Sequence, residues 1–200
     1  MALFRFAAEP PIRPVLRAGN LMLRPPRAED FDQWLALRQR SRDFLAPWEP
    51  EWNDADLTRA SFRQRAKRTQ REIANDEAYP FLIFGQDGQV LIGGITLGLV
   101  RRGVAQAATL GYWLGAAHGG QGHMGRAVQC VLDHAFGELA LHRVEAACLP
   151  ANLRSAKLLQ RAGFRQEGEA RRYLKIAGHW SDHLLFAILS DDARPVDLHV

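Results

Sequence analysis

Residues 111–129 read GYWLGAAHGGQGHMGRAVQ, and the fold turns on what this stretch is. Its first four residues have the aromatic and apolar character of a strand end, and from about His123 to Leu139 apolar residues recur at the period of a helix. Between them Gly120, Gly122 and Gly125 stand in G-x-G-x-x-G spacing. Glycines there let consecutive backbone N–H groups approach an anion closely, and the helix N-terminus adds its partial positive charge. Strand, glycine turn and helix together predict a cradle for phosphate.

The same spacing is the fingerprint of a dinucleotide-binding turn, which needs an Asp or Glu at the end of the next strand to hold the ribose hydroxyls. That strand, His142 to Leu149, ends Ala147-Cys148-Leu149-Pro150, and Glu145, its only acid, lies mid-strand. The turn also falls beyond the midpoint of a 200-residue chain, which leaves no room for the second half of a doubly wound sheet. A dinucleotide is therefore rejected. The pyrophosphate of another ligand, or a turn that holds nothing, remains open.

Upstream, Asn20 to Arg24 reads as a strand, and a helix follows over about Glu29 to Arg40 with Phe31, Trp34, Leu35 and Leu37 as its apolar stripe. In Phe44 to Pro50, FLAPWEP, prolines 47 and 50 exclude a regular helix and predict a rigid loop presenting Trp48 and Glu49. Thr58 is the expected N-cap of a helix to about Asn75. That helix carries Phe62, Ala66 and Ile73 on one side and Arg59, Arg63, Lys67, Arg68 and Arg71 over the rest, either a solvated basic face or one turned to RNA. Tyr79–Gly85 and Gln89–Val100 read as strands around a two-residue Asp87-Gly88 hairpin, and Ala107–Gly115 continues the meander.

Downstream of the glycine helix come the strand His142–Leu149, a helix over Asn152–Ala162, and two strands, Phe164–Ile176 and His183–Leu189. This order predicts a mixed α/β (α+β) fold, with a mostly antiparallel sheet of about six or seven strands and helices packed on it. The expected organisation is an N-terminal extension over residues 1–19, one domain over 20–191 and a C-terminal tail over 192–200.

Composition narrows the functional classes. The chain is 47% hydrophobic and 24% charged with a formal charge of +4, globular values with no run of about 18 apolar residues to span a bilayer. The opening MALFRFAAEPPIRP lacks a continuous apolar core, so a cytoplasmic protein without signal peptide is expected. Cys130 and Cys148 have no C-x-x-C partner and are expected to be buried free thiols. His179 and His183 flank Asp182 around an expected turn into a strand, without H-E-x-x-H, so no metal site is expected.

Taken together, GYWLGAAHGGQGHMGRA, HRVEAACLP and ANLRSAKLLQRAGFRQEG resemble the acetyl-CoA-binding half of the GNAT acyltransferase superfamily. LAPWEP, HRVEA, EGEARRYLKIAGHWSDH and the closing LLFAIL make the chain similar, more narrowly, to RimJ-type ribosomal-protein-alanine N-acetyltransferases, over about residues 20–190. The resemblance implies a three-layer fold with helices on both faces of the sheet and a splayed strand pair that holds acetyl-CoA as an added strand would be held. It implies that backbone amides across Gly119, Gly120, Gln121, Gly122, His123, Met124, Gly125 and Arg126 take the CoA pyrophosphate. Gly119 and Met124 depart from the family's pattern of Gln or Arg first and a small residue last.

In the family, the backbone N–H at Leu114 holds the thioester carbonyl and the oxyanion that develops from it, an effect worth about 2.7–4 kcal/mol. Asn152 and Ser155 match its N-x-x-S, with Asn152 at the pantetheine arm and Ser155 near the departing sulfur. On spacing alone the pair also reads as a helix N-cap. Many members carry a tyrosine acid later in this helix, where Leu159 stands here, so Ser155 takes that part. Related RimL-type enzymes carry an acid where Arg172 stands, which leaves Glu49, Glu167 and Asp182 as candidate bases.

Trp48, Glu49, Tyr173, Trp180 and Asp182 are the expected acceptor pocket. The implied acceptor is a protein N-terminus, that of alanine on a ribosomal small-subunit protein, with ribosomal RNA as a further contact of the basic segment 59–71. At pH 7 roughly 10% of an α-amine of pKa near 8 is neutral against about 0.04% of a lysine, so a weak base suits α-amines. Acetylation of a small amine, or a CoA-binding or ribosome-associated protein without catalysis, are the alternatives.

Overall fold

The computed structural model describes residues 14–194, so the leader expectation for the first residues and most of the predicted tail fall outside the described residues. One sheet runs through the chain. Its strands are β1 (Leu16–Ala18), β2 (Leu21–Arg24), β3 (Tyr79–Gly85), β4 (Val90–Arg101), β5 (Ala107–Leu114), β6 (Arg143–Cys148), β7 (Arg165–Ile176) and β8 (His179–Leu189), in the order β1-β2-β3-β4-β5-β6-β8-β7. Every neighbouring pair is antiparallel except β5 and β6. The helices are α1 (Phe31–Arg40), α2 (Arg42–Leu45), α3 (Arg59–Ala74), α4 (His123–Phe136) and α5 (Leu153–Arg161).

Strand alternation and helical period cover the sheet on both faces. Val128, Val131 and Leu132 of α4 and Leu159 of α5 pack on Ile83, Ile95, Val144 and Phe186. Phe31, Trp34 and Leu37 of α1 and Phe62 of α3 pack on Leu82, Phe84 and Leu91 across the other face. Each such side chain, once buried, contributes about 1.5–3 kcal/mol. Arg24 and Asp30 form a buried two-pronged ion pair at 2.7 and 2.6 Å, which fixes the entry to α1 against the sheet edge. Among the described residues no helix is long and apolar enough to cross a membrane.

Several expectations need correction. The sheet has eight strands, because β1 lies inside the predicted extension and is only three residues long, too short to register as alternation. The 44–50 segment is no plain loop. Residues 42–45 form α2 and Ala46–Trp48 a 3-10 turn whose first positions accommodate Pro47, since proline is tolerated where no helical N–H bond is due. The β3–β4 connection spans Gln86–Gln89 between the paired Gly85 and Val90, with Gln86, Asp87 and Gly88 all at positive φ, rather than a two-residue turn. Finally, β8 begins at His179, so His179 and His183 lie on one strand, roughly 13 Å apart.

Candidate active site in the gap between two parallel strands

Pairing between β5 and β6 runs from Ala107↔Arg143 to Leu110↔Ala146 and stops there. Both strands continue. β5 stays on β4 through Gly94↔Trp113 and Gly93↔Leu114, while β6 stays on β8 through Ala147↔Leu185 and Cys148↔Leu184. The sheet therefore opens into a V. Glycines on β4 permit this path, because a Cβ on Gly94 would sit 2.5 Å from Nε1 of Trp113 and one on Gly93 2.5 Å from its carbonyl oxygen. Gly115 donates its N–H to the carbonyl of Ile92, so alternation turns the N–H of Leu114 the other way, into the gap.

The glycine turn lies beyond the end of β5. Gly120 has φ +75° and Gly122 φ +71°, the left-handed region, with Gly122 as the N-cap of α4 and no side chain capping the first turn. The leading N–H groups are thus available to an anion. Gln121 donates to the carbonyl of Ala117, and Nε2 of His123 donates to Oε1 of Gln121 at 3.1 Å. Nδ1 of His123 accepts from Arg126 at 2.8 Å. Burial, then the charge of Arg126 and the neighbouring His118, push the His123 pKa down, in keeping with that neutral tautomer. Nε of Arg126 is buried without a partner, Met124 packs into the core and Gly125 is buried in the first turn of α4. Gly119 is extended and leads into the turn.

Across the gap, Asn152 caps α5 by accepting the N–H of Ser155 at 3.1 Å, the cap that spacing alone suggests. The hydroxyl of Ser155 is 2.7 Å from that of Tyr112. Burial holds the Tyr112 phenol well above its ordinary pKa, so it is a neutral group at pH 7. Cys148 is a buried thiol whose pKa burial pushes up, and Cys130 is only half-buried; both are free. Leu159 is 1% exposed in the core, so no acid stands in that part of the helix. Tyr112 was absent from the sequence-based set, although alternation in GYWL puts it on one face with Leu114.

On the opposite face of the sheet, Glu49 accepts both terminal nitrogens of Arg38 at 2.8 and 2.6 Å and the indole N–H of Trp52 at 2.9 Å. The Arg38 guanidinium also lies over the rings of Trp52 and Trp113, at 4.1 and 4.8 Å. The Glu49 carbonyl accepts the N–H of Ala177, tying this segment to the β7–β8 turn, and Trp48 beside it is partly exposed. Sequence reasoning missed Arg38, Trp52 and Trp113, which no motif marks.

The remaining candidates are spread out. Asp182 accepts the N–H of Arg172 at 2.7 Å in the β7 bulge, where Arg172 has φ +46°. Tyr173 packs edge-on to His183, and Trp180 is exposed. Alternation along β8 sends Trp180 and Asp182 to one face and His183 to the other. Glu167 pairs with Arg143 at the closed end of the β5–β6 ladder, away from the V. Among the described residues no three His, Cys, Asp or Glu side chains cluster as a metal site would need. An open depression on α3 is lined by Ser61, Gln64, Arg65, Lys67, Arg68 and Arg71 with Asp56.

A mixed sheet whose one parallel pair parts ahead of a glycine turn and a helix N-terminus is the arrangement that the resemblance to N-acyltransferases implies. A family model described as an acetyltransferase (GNAT) domain matches residues 20–165, and the chain belongs to that acetyltransferase family. It is 40% identical over 178 residues to the probable N-acetyltransferase YjcK of Bacillus subtilis, covering 89% of this chain and 98% of that one. It is 34% identical over 155 residues to the [ribosomal protein uS5]-alanine N-acetyltransferase of Escherichia coli, covering 78% and 80%. The structure of Mycobacterium smegmatis RimJ in complex with CoA-disulfide superposes with a TM-score of 0.82 at 35% identity, over 90% of this chain and 88% of that one. The protein is thus an N-acetyltransferase related to enzymes that acetylate ribosomal proteins.

Proposed function

We propose that this enzyme transfers the acetyl group of acetyl-CoA to the N-terminal α-amine of a protein, that of alanine on a ribosomal small-subunit protein, in the cytoplasm. The observation that carries the donor assignment is the open V: the N–H of Leu114 faces it, and the left-handed Gly120 and Gly122 stand at its mouth. These groups fit a thioester carbonyl and a pyrophosphate. When bound, acetyl-CoA supplies an activated acyl group. Gly119 to Arg126 hold its phosphates, Asn152 borders the pantetheine arm, and the Leu114 N–H stabilises the oxygen on which charge develops. Ser155, aligned by Tyr112, donates toward the departing sulfur.

The relationship to the uS5-alanine enzyme supports the acceptor. Trp48, Glu49 and Tyr173 are proposed to line the acceptor side, with Trp180 and Asp182 at its outer edge. The basic depression on α3 suits a second contact with ribosomal RNA.

The test is thiol release from acetyl-CoA with two peptides, one bearing a free N-terminal alanine and no lysine, the other blocked at its N-terminus with a single lysine. Turnover on the first alone is expected. Turnover on the second alone refutes the α-amine assignment, and turnover only on a small amine refutes the protein acceptor.

A further inference from the structure

The three carboxylates that sequence offered as bases are already engaged or lie elsewhere. Glu49 takes three hydrogen bonds from Arg38 and Trp52, Asp182 holds the β7 bulge, and Glu167 sits at the closed end of the ladder. Another proton acceptor stands at the open end. His183 lies on β8, beside β6 and one residue beyond the last paired row, Cys148↔Leu184. It therefore flanks the V just past the point where β5 and β6 part.

Its face follows from its neighbours. Leu184, Phe186 and Ile188 pack into the α4–α5 layer, so His183 points to the other face, the one on which Trp113 lies under Arg38. Strand β8 lies one strand spacing, about 4.8 Å, from β6, which forms one lip of the gap. The residue is 2% exposed, and the ring of Tyr173 stands edge-on to it at 5.8 Å. Nδ1 is 2.9 Å from the carbonyl oxygen of Ser181. A carbonyl oxygen can only accept, so Nδ1 carries a hydrogen, which leaves Nε2 as the ring position for a transferred proton.

We infer that His183 is the general base of this acetyltransferase, taking the proton from the attacking amine on the acceptor face, an assignment that rests on the acetyl-transfer reading above. The amine nitrogen forms its bond to the acetyl carbon as the carbon–sulfur bond breaks. One proton passes from nitrogen to Nε2 of His183 and on to water, and one passes to sulfur from the Ser155 hydroxyl, which solvent replenishes. Ser181 acts through its carbonyl as a positioning group that selects the tautomer.

The test uses the full chain with His183→Asn, whose amide can keep the donor to the Ser181 carbonyl, and His183→Ala, which leaves room for free imidazole. The wild type is first run on an alanine peptide, a lysine peptide and a small amine, and the variants on whichever it acetylates, so a wrong acceptor is seen separately from a wrong base. Both variants are expected to lose about 100-fold in kcat/KM, the low end for a general base. Stabilisation by acetyl-CoA should stay at its wild-type value, and added imidazole should restore His183→Ala but not His183→Asn. Turnover within threefold of wild type overturns the assignment. So does loss of acetyl-CoA stabilisation in both variants, or failure of imidazole to restore any rate. A wild type that acetylates none of the three amines overturns both readings.

Discussion

Tyr112→Phe keeps the ring in its half-buried place on β5 and removes only the oxygen that lies 2.7 Å from Ser155. A hydrogen bond of this kind contributes about 0.5–1.5 kcal/mol net to stability, so the variant should melt slightly lower and still fold. If the phenol serves to aim the Ser155 hydroxyl at the departing sulfur, the same energy appears in the transition state. At about 1.36 kcal/mol per tenfold, that predicts a kcat roughly two- to thirteenfold lower. The decisive arm is a cycle with Ser155→Ala, read by thiol release on an alanine peptide, with acetyl-CoA-induced thermal stabilisation as the control for binding. Once Ser155 has lost its hydroxyl, Tyr112 has nothing to aim, so the double variant should match Ser155→Ala within about twofold. Losses that multiply would mean that the two hydroxyls act independently, and an unchanged rate for Tyr112→Phe would remove the tyrosine from the mechanism altogether.

Two further outcomes are expected. Gly122→Ala forces a Cβ into the left-handed region at φ +71°, so it should cost about 1–2 kcal/mol and weaken acetyl-CoA stabilisation. Gly119→Ala, at φ −69° and with only ordinary contact for a Cβ, should do neither, and equal effects in thermal melts would refute a conformational cause. His134 is buried between Tyr79 and Phe81, and burial lowers its pKa despite the opposing pull of Glu138. The unfolded chain gains this proton as pH falls below about 6.5 while the folded one resists, so stability is retained above that pH and lost below it, at no more than about 1.4 kcal/mol per pH unit. Urea melts at pH 7.5 and 5.5 should show His134→Leu losing less than wild type on acidification, and parallel losses would refute the role of His134.

What could be read from the chain beforehand follows the range of the interactions involved. The glycine turn, the Thr58 cap and the α4 stripe are local, with every decisive residue within a turn or two, and each stands where sequence placed it. Helix α4 stops at Phe136 rather than Leu139 because Gly137 closes onto Asp133, a local signal that apolar periodicity overran. The acceptor face was far less legible. Glu49 stood among the candidate bases because Arg38 belongs to helix α1 and Trp52 to the segment beyond Pro50, and neither spacing advertises an ion pair. Tyr112 and Ser155 are 43 positions apart and meet only because β5 and β6 part beneath them. His183 is invisible as an acceptor until the carbonyl on Nδ1 and the face of β8 are known.

The opening of the V also bears on how the molecule holds together. Backbone pairing joins β1–β5 to β6–β8 along four rows only, Ala107↔Arg143 to Leu110↔Ala146. This seam is short beside the long ladders that flank it, and a pantetheine arm bridging its two lips would act as a removable clasp. Because such a ligand binds the folded form alone, the folded population would track the acyl-CoA pool by mass action. A cell starved of acyl groups would then deprive the enzyme of more than its donor: it would loosen the attachment of the carboxyl-terminal strands, and turnover of the chain itself would become a readout of metabolic state.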